Sequence, residues 1–204
     1  LGCFSLYASK VLTSGEGGAV VTNDDDLAEK IKMIRNHGMV EGYDTRIFGL
    51  NLRLPELSAA LAMAQMNRLG KMLDLRKRNA DSLTDLVSSF ANHNGVILPH
   101  ESQNKRPNWY LYTITFTKDN VRDAVQKKMV QRDKVGATVY YDPPVHRTPY
   151  YERMLASETN SSMLPRSELG NTDWASGHVL SLPIHPLVTQ QELERIAHSL
   201  KGTL

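Results

Sequence analysis

One lysine, Lys10, lies in a sequence context that favours carbonyl chemistry. It follows a short apolar stretch and precedes the glycine-rich turn Gly15-Glu-Gly17-Gly18, after which the run Val20-Val21-Thr22 predicts a strand. Schiff-base formation requires a neutral amine held close to its target, and a lysine between a tight turn and a strand meets that requirement. Most lysines are solvated surface charges, so the residue type alone leaves a surface role open. A phosphate-binding P-loop is excluded, because its lysine follows the glycines.

The composition is that of a globular protein with balanced charge. The 204 residues include 24 basic and 22 acidic side chains, a net charge of +2, which gives no sign of a nucleic-acid or membrane partner. We find no apolar run as long as a membrane span and no signal peptide. The single cysteine, Cys3, suits a reducing compartment, so a cytoplasmic location is expected. The seven histidines lack metal-ligand spacing, and we predict no metal site.

Helical patterns follow the predicted strand and would position the lysine turn. Apolar residues at i, i+4 and i+7 predict a helix from the N-cap Asn23 to about Asn36. A second helix is expected to begin near Pro55, a residue suited to a first helical turn, and to present an apolar face of small residues. Gly70 predicts the break before a third helix, which continues to about Phe90.

The pattern changes character in the second half of the chain. Strands are predicted at Val96–Leu98, Trp109–Thr117 and Ala137–Tyr141, with a helix over Asn120–Arg132. In the second strand, one face is expected to carry Tyr110, Tyr112, Ile114 and Phe116. A capping box, Thr189-Gln-Gln-Glu192, predicts the start of a terminal helix with an apolar inner face. This alternation of strand and helix indicates a small α+β domain.

A loop rich in proline and aromatic residues begins at the end of the predicted strand Ala137–Tyr141. Tyr140–Tyr151 contains too many prolines for a central strand. Its aromatic, histidine and arginine side chains could bind a sugar and its diphosphate, since loops on a rigid scaffold often carry recognition. Tyr141 and His146 are the candidate substrate-binding residues, and a role in lining the cleft is the alternative for His146. Residues 157–172 are polar and are predicted to form a mobile loop.

Three strings together resemble a known family. The string from Ser5 through Lys10 and the glycine turn to Asn23 resembles the lysine loop of the DegT/DnrJ/EryC1/StrS sugar aminotransferases, which are fold-type I enzymes that use pyridoxal 5′-phosphate (PLP). Gly49-Leu-Asn51-Leu-Arg53 is similar to the family's Gly-x-Asn-x-Arg segment, and Leu180-Ser-Leu-Pro183 to its Leu-Ser-Leu-Pro segment. The Tyr140–Tyr151 loop is also similar to a family segment of tyrosine, proline and histidine, so the resemblance extends along the whole chain.

The resemblance implies roles for individual residues. Lys10 would bind PLP as a Schiff base and then act as general acid and base, and Ser5 would hydrogen-bond the cofactor phosphate. Asn51 and Arg53 would reach across a dimer interface towards the cofactor phosphate of the partner subunit. Without the resemblance, a turn residue and a surface ion pair are the simpler interpretations of these two. Glu16 is expected to hold the glycine turn and not to transfer protons.

The resemblance also implies a reaction and a fold. Members of this family move an amino group from an amino acid, usually glutamate, to a keto sugar attached to a nucleotide. Residues 1–91 would be the end of the large PLP-binding domain of an α/β fold-type I transferase, and residues 92–204 its small α+β domain. In the family, the carboxylate at the pyridine nitrogen and the stacking aromatic residue precede the lysine loop. We therefore expect this chain to be the carboxy-terminal portion of a homodimeric enzyme and to be inactive alone.

Two alternatives differ from this hypothesis. A branch of the family that dehydrates or deoxygenates the sugar usually carries histidine in place of the lysine, and Lys10 argues against it. A non-catalytic oligomerisation or regulatory module that kept the lysine loop would have the same sequence pattern but would bind no cofactor, so it stays open.

Overall fold

The computed structural model describes residues 1–156 and 169–204, which form two compact units, Leu1–Met72 and Leu73–Leu204. Each unit combines helices with a small antiparallel sheet. The helices are α1 (Asp25–Ile34), α2 (Glu56–Met66), α3 (Leu69–Ala91), α4 (Val121–Lys127), α5 (Pro149–Ala156), α6 (Gly170–His178) and α7 (Gln190–Lys201). The strands are β1 (Gly2–Ser5), β2 (Gly18–Val21), β3 (Val96–Ile97), β4 (Tyr112–Phe116) and β5 (Val179–Leu182).

The division between the units falls inside α3. Most of this helix packs into the core of the second unit through Ala80, Leu83 and Val87. The predicted domain boundary lies later, at the end of the helix, because the sequence pattern marks where a helix stops and not where its packing partners change. The assignment of residues 1–91 and 92–204 to the large and small domains of a longer enzyme stays a prediction.

The first unit begins with a two-stranded antiparallel sheet. β1 pairs with β2 in a register that aligns Gly2 with Val21 and Ser5 with Gly18. The predicted strand before α1 is therefore confirmed, and the lysine turn is the connection between the two strands. Because β1 ends at Ser5 and β2 begins at Gly18, both ends of this connection are fixed by the same pair of strands.

The start of α1 differs by one residue from the prediction. Asp24, not Asn23, is the N-cap, and its carboxylate accepts a hydrogen bond of 3.0 Å from the Leu27 N–H. Asp25 and Asp26 then fall in the first turn, where negative charge is favourable. Asn23 lies one residue too early for its side chain to reach the same amide.

The break between α2 and α3 also differs from the prediction. α2 ends at Met66 and α3 begins at Leu69, so Gly70 lies inside the third helix and Asn67 and Arg68 form the break. A glycine in the first turn of a helix faces no close neighbour here and costs little. None of the α2 side chains is buried, although the sequence pattern predicts an apolar face.

The second unit is built on the sheet β3-β4-β5, all antiparallel. In β4, Tyr112, Ile114 and Phe116 alternate inward and are at most 1% exposed, which confirms this part of the predicted face. Tyr110, the fourth residue of that prediction, precedes the strand and is only partly buried. The strand is shorter than predicted, because Trp109 adopts φ 50 and so leaves the extended conformation. Helix α3 and the terminal helix α7 each supply four further buried apolar side chains.

The third predicted strand of this unit, Ala137–Tyr141, is reduced to a single bridge. Thr138 and Ser181 exchange both backbone hydrogen bonds, of 3.0 and 2.8 Å, at the edge of β5. The chain then turns away into Pro143 and Pro144, which have no N–H to donate to a ladder. Ala137 itself is buried.

The two predicted helices of the second unit are present. The first is α4, which continues as a π-helix over Lys128–Arg132. In α7, the capping box is confirmed, because Thr189 and Glu192 bond each other's backbone N–H. Most of the predicted 157–172 loop lies outside the described residues, and its last residues, from Gly170, begin α6.

Candidate active site

Ser5 and Lys10 are joined through one tight turn centred on Tyr7. The Ser5 Oγ accepts a hydrogen bond of 3.3 Å from the Tyr7 N–H, and the Tyr7 carbonyl accepts one of 2.9 Å from the Lys10 N–H. Since the Ser5 hydroxyl accepts this bond, its own hydrogen remains available for an external acceptor. Ser5 is exposed and Lys10 is partly buried. One turn thus holds the Ser5 hydroxyl close to the backbone of Lys10.

Leu6 closes the loop that follows Lys10. Its N–H donates to the Gly17 carbonyl, and its carbonyl accepts from the Ser14 N–H and from the Thr13 hydroxyl, at 2.9 to 3.1 Å. Its side chain is 7% exposed. The buried Ser14 hydroxyl donates to the Glu16 carbonyl at 2.7 Å. It is the backbone of Glu16 that takes part in the turn, and the expected role of its side chain stays a prediction.

Gly17 brings this loop against the segment that follows Arg53. Its φ is +140°, and a Cβ there would lie 2.7 Å from Leu54 Cδ1 and 2.9 Å from Ser14 Oγ. Both values are shorter than real Cβ contacts, so only glycine fits without rearrangement. The lysine turn and the segment that carries the other candidate phosphate ligands are therefore neighbours within the first unit.

The end of α1 determines the position of Asn51. The Leu50 and Leu52 N–H groups donate to the Ile34 and Arg35 carbonyls at 2.7 and 2.8 Å. These are carbonyls that a helix end leaves without intrahelical partners. Asn51, which lies between the two donors, forms a backbone bridge with Asn36. The segment 50–52 therefore caps the helix through its backbone, and the Asn51 side chain is exposed.

A close approach of two glycines permits this capping. Gly38 has φ +75°, and a Cβ on it would lie within bonding distance of the Ile47 carbonyl. A Cβ on Gly49 would be 2.1 Å from the Gly38 N. Larger residues at either position would separate the turn after α1 from the segment that carries Asn51.

Arg53 is held by two amide side chains. Its Nε donates to the Asn51 Oδ1 at 3.0 Å, and its Nη1 donates to the Asn36 Oδ1 at 3.4 Å. Both acceptors are neutral, so they orient the guanidinium without compensating its charge. The prediction paired Asn51 with Arg53 but did not include Asn36, whose contact depends on a fold that joins residues distant in sequence.

In the second unit, His146 is bound to Asp173 of α6. Its Nε2 lies 2.8 Å from the Asp173 Oδ1, and the Arg147 Nη2 donates to the Asp173 Oδ2 at 2.7 Å. The hydrogen bond from Arg147, with a further contribution from His146, lowers the pKa of Asp173. The carboxylate therefore orients two neighbouring residues of the predicted recognition loop. Asp173 was not predicted, because nothing in its local sequence marks it.

Tyr141 lies on the same loop, and its ring is 65% exposed. The Ser176 hydroxyl of α6 donates to its carbonyl at 2.8 Å. The next residue, Asp142, accepts a hydrogen bond of 2.6 Å from the Arg122 Nη2, whose side chain is 4% exposed. A buried arginine thus anchors the loop, while the Tyr140 and Tyr141 rings stand edge to face outside it.

The predicted site residues fall into two groups. Ser5, Lys10, Asn51 and Arg53 belong to the first unit, and their loops meet at Gly17 and Leu54. Tyr141 and His146 belong to the second unit, where α6 supports both.

Two general properties of the described residues complete the picture. Within residues 1–156 and 169–204, no three His, Cys, Asp or Glu side chains are grouped as metal ligands would be. Over the same ranges, every helix is too short or too polar to cross a membrane.

Comparison with known proteins gives a consistent result. The sequence profile of the DegT/DnrJ/EryC1/StrS aminotransferase family matches residues 1–201. The UDP-N-acetyl-3-dehydro-α-D-glucosamine 3-aminotransferase of Acidithiobacillus ferrooxidans is 30% identical over 100% of this chain and 51% of its own length. The dTDP-3-amino-3,4,6-trideoxy-α-D-glucose transaminase of Streptomyces venezuelae is 31% identical over 97% of this chain and 48% of its own. The chain therefore spans about half the length of these curated relatives.

Solved structures are likewise similar to this chain over about half of their own length. DesV of Streptomyces venezuelae, crystallised in complex with a ketimine intermediate, superposes with a TM-score of 0.84 at 28% identity, over 98% of this chain and 51% of its own. PseC of Helicobacter pylori, an aminotransferase of pseudoaminic acid biosynthesis, gives 0.81 at 26% identity, over 98% and 52%. The predicted fold class, a portion of an α/β aminotransferase, is confirmed.

Proposed function

Because the chain belongs to the DegT/DnrJ/EryC1/StrS aminotransferase family, we propose that it is the carboxy-terminal part of a PLP-dependent enzyme that moves an amino group from glutamate to a keto sugar nucleotide. The observation that carries this proposal is the turn through Tyr7, which holds the Lys10 backbone beside the Ser5 hydroxyl. The names of the relatives, which are transaminases of UDP- and dTDP-sugars, support the substrate class. The activity belongs to the longer protein, since this chain spans half of such enzymes.

Groups in the first unit have the chemistry needed to bind the phosphate and the aldehyde of PLP. A hydroxyl donor at Ser5 and a guanidinium at Arg53 suit a phosphate, and the amine of Lys10 suits an aldehyde. Arg53 is preorganised by neutral amides, so its charge is available to an anion. When bound, PLP supplies an electron sink that stabilises negative charge at the α-carbon of the amino donor.

In this proposal Lys10 moves the proton. Its neutral Nζ accepts the proton that leaves the α-carbon of glutamate, and later returns a proton to the carbon that becomes the amino-bearing carbon of the sugar. The amine must therefore stay close to both substrates in turn. The hydrogen bonds of Leu6 and Ser14 keep the loop after Lys10 rigid, which favours such positioning.

Asn51 and Arg53 act, in this proposal, on the cofactor phosphate of a second subunit. Both side chains are exposed, and backbone hydrogen bonds to α1 hold their segment rigidly. The exposed apolar side chains of α2, among them Leu57 and Met63, follow directly in sequence and support a homodimer whose interface includes this segment.

His146, Arg147 and Tyr141 would contact the sugar nucleotide. The Asp173 carboxylate holds the first two in fixed orientation, and the exposed Tyr141 ring offers a face for a sugar or a base. Recognition by a loop supported on a helix is consistent with specificity that varies among relatives of one fold.

Borohydride reduction of the full-length enzyme with PLP tests the proposal. Reduction should attach the cofactor covalently to Lys10, and peptide mass spectrometry would locate it. Lys10→Ala should abolish the label, while Lys30→Ala, an exposed lysine of α1, should leave it unchanged. A colourless native protein that takes no label would instead support a non-catalytic module, and label at another lysine would contradict the assignment of Lys10.

A further inference from the structure

An open cleft of about 800 Å³ lies at the carboxy-terminal end of α1. Four of the residues that line it are cationic, namely Lys32, Arg35, Arg46 and Arg53, and one, Glu29, is anionic. The walls thus carry a clear excess of positive charge. The cleft is independent of the lysine turn, although Arg53 belongs to both the cleft and the predicted phosphate ligands.

Ion pairs account for two of the four cations. The Lys32 Nζ lies 2.7 Å from the Glu29 Oε1, and the Arg46 Nη2 lies 2.8 Å from the Asp44 Oδ2. Arg53 bonds only to the neutral oxygens of Asn51 and Asn36 among the described residues. Arg35 makes no side-chain hydrogen bond or ion pair within the described parts of the chain. Among the residues that the structure describes, two guanidinium charges therefore face the cleft without a compensating carboxylate.

The usual reason for cations at a helix end does not account for these arginines. Basic side chains in a last turn often compensate the unpaired carbonyls and the helix dipole. Here the Ile34 and Arg35 carbonyls already accept hydrogen bonds from Leu50 and Leu52. The charge of Arg35 and Arg53 is thus in excess of what the helix end requires.

We propose that this cleft is a binding site for a phosphoryl anion held between Arg35 and Arg53. A planar guanidinium donates two parallel hydrogen bonds to a phosphate, and two of them provide the charge that a phosphate or diphosphate group requires. Arg53 enters with its orientation already set by Asn51 and Asn36, which lowers the entropic cost of binding. The part played by Arg53 rests on the proposed function, and Arg35 is a new ligand.

The anion has two possible sources, the phosphate of the cofactor and the diphosphate of the sugar nucleotide. Isothermal titration of the purified protein, freed of PLP, at low salt with inorganic phosphate, and separately with inorganic pyrophosphate, distinguishes them. Comparable affinity for both would indicate the cofactor's monophosphate. An affinity for pyrophosphate at least about tenfold higher would indicate the diphosphate, because a second phosphoryl group then adds contacts.

Arginine variants test the location of the site. Arg35→Gln and Arg53→Gln should each weaken binding by about tenfold or more, since each removes a charge-assisted pair of hydrogen bonds. Arg68→Gln, which removes the same charge from an exposed position outside the cleft, should change the affinity by less than about twofold. Because the Arg35 side chain makes no hydrogen bond or ion pair with other described residues, circular dichroism of Arg35→Gln should match the unmodified protein.

The proposal is overturned if neither anion binds, or if Arg35→Gln binds as the unmodified protein does. Equal weakening by Arg68→Gln would also overturn it, because the interaction would then depend on net charge alone. These outcomes are separate from the labelling of Lys10. If Lys10 is labelled but no anion binds in the cleft, the cleft proposal is refuted and the aminotransferase proposal stands. If an anion binds in the cleft but Lys10 is not labelled, only the aminotransferase proposal is refuted.

Discussion

The two units of the molecule are stabilised in different ways. Leu73–Leu204 contains a continuous core in which Tyr112, Ile114 and Leu83 are completely buried. In Leu1–Met72, all of which the structure describes, Leu6 is the only buried hydrophobic side chain. Backbone hydrogen bonds and glycine turns define the first unit instead. The difference shows that the loops proposed to bind the cofactor are shaped by backbone geometry, whereas the recognition loop rests on a packed scaffold.

The apolar surface of the first unit has a consequence for assembly. Tyr43, Phe48 and Leu57 are each more than 80% exposed, and both faces of the β1–β2 sheet carry exposed apolar residues. Large apolar side chains exposed in such number are typical of surfaces that other protein covers. This supports the proposed function, in which other protein, including a second subunit, covers the first unit.

The largest expected difference between the units is the cost of truncating a leucine. Leu83→Ala should lower the free energy of unfolding by about 2–5 kcal/mol, because it leaves a cavity in the core. In the monomeric chain, Leu57→Ala removes the same atoms from an exposed position and should change the free energy of unfolding by less than about 0.5 kcal/mol. Urea unfolding followed by far-UV circular dichroism, which reports the helices of both units, measures this. Equal effects would contradict the contrast between the units.

In the first unit, stability should depend most on a glycine with an unusual backbone angle. Gly17→Ala combines φ +140° with a clash against Leu54 and Ser14 and should destabilise the loop by about 1–3 kcal/mol. Gly70→Ala, inside α3 with no neighbour within 4 Å, should be neutral or stabilise by up to about 1 kcal/mol. Hydrogen exchange of the Leu6 and Ser14 amides reports the opening of this loop. Unchanged protection in Gly17→Ala would show that the turn does not depend on glycine.

In the second unit, the side-chain cap of α7 should contribute to stability. Thr189→Ala removes the capping box of α7 and should cost about 0.5–2 kcal/mol. Thr189→Ser keeps the hydroxyl and should recover most of this loss. Thermal unfolding of the three proteins provides the measurement. If serine fails to restore stability, the methyl group of Thr189 and not its hydrogen bond carries the effect.

The smallest expected effect concerns the recognition loop and depends on pH. Since the folded state lowers the pKa of Asp173, chiefly through Arg147, the ionised carboxylate stabilises the fold above its unfolded pKa, about 3.9, and this stabilisation is lost as the pH falls through the lower folded value. Asp173→Asn should therefore lower the melting temperature slightly at pH 7, and the difference should shrink as the pH falls below about 4. Arg147→Gln, alone and combined with Asp173→Asn, provides a double-mutant cycle, and strict additivity would show that the pair does not interact.

Much of the second unit could be predicted because its signals are local and its packing follows them. The alternation of Tyr112, Ile114 and Phe116 and the capping box at Thr189 were both confirmed. The predictions were wrong where a single backbone angle or a packing partner decides the outcome. Trp109 shortens β4 through its positive φ, and the predicted strand at 137–141 finds a partner only at Thr138.

For the candidate site, the sequence by itself determined the residue types and the family, through Ser5, Lys10 and the Asn51–Arg53 segment. Only the tertiary structure decided which residues support them. Asn36 reaches Arg53 because the end of α1 needs hydrogen-bond donors for its last carbonyls, and segment 50–52 provides them. Asp173 reaches His146 and Arg147 across 26 or more residues of sequence. Such contacts depend on how separate elements meet in space, and no local pattern encodes that.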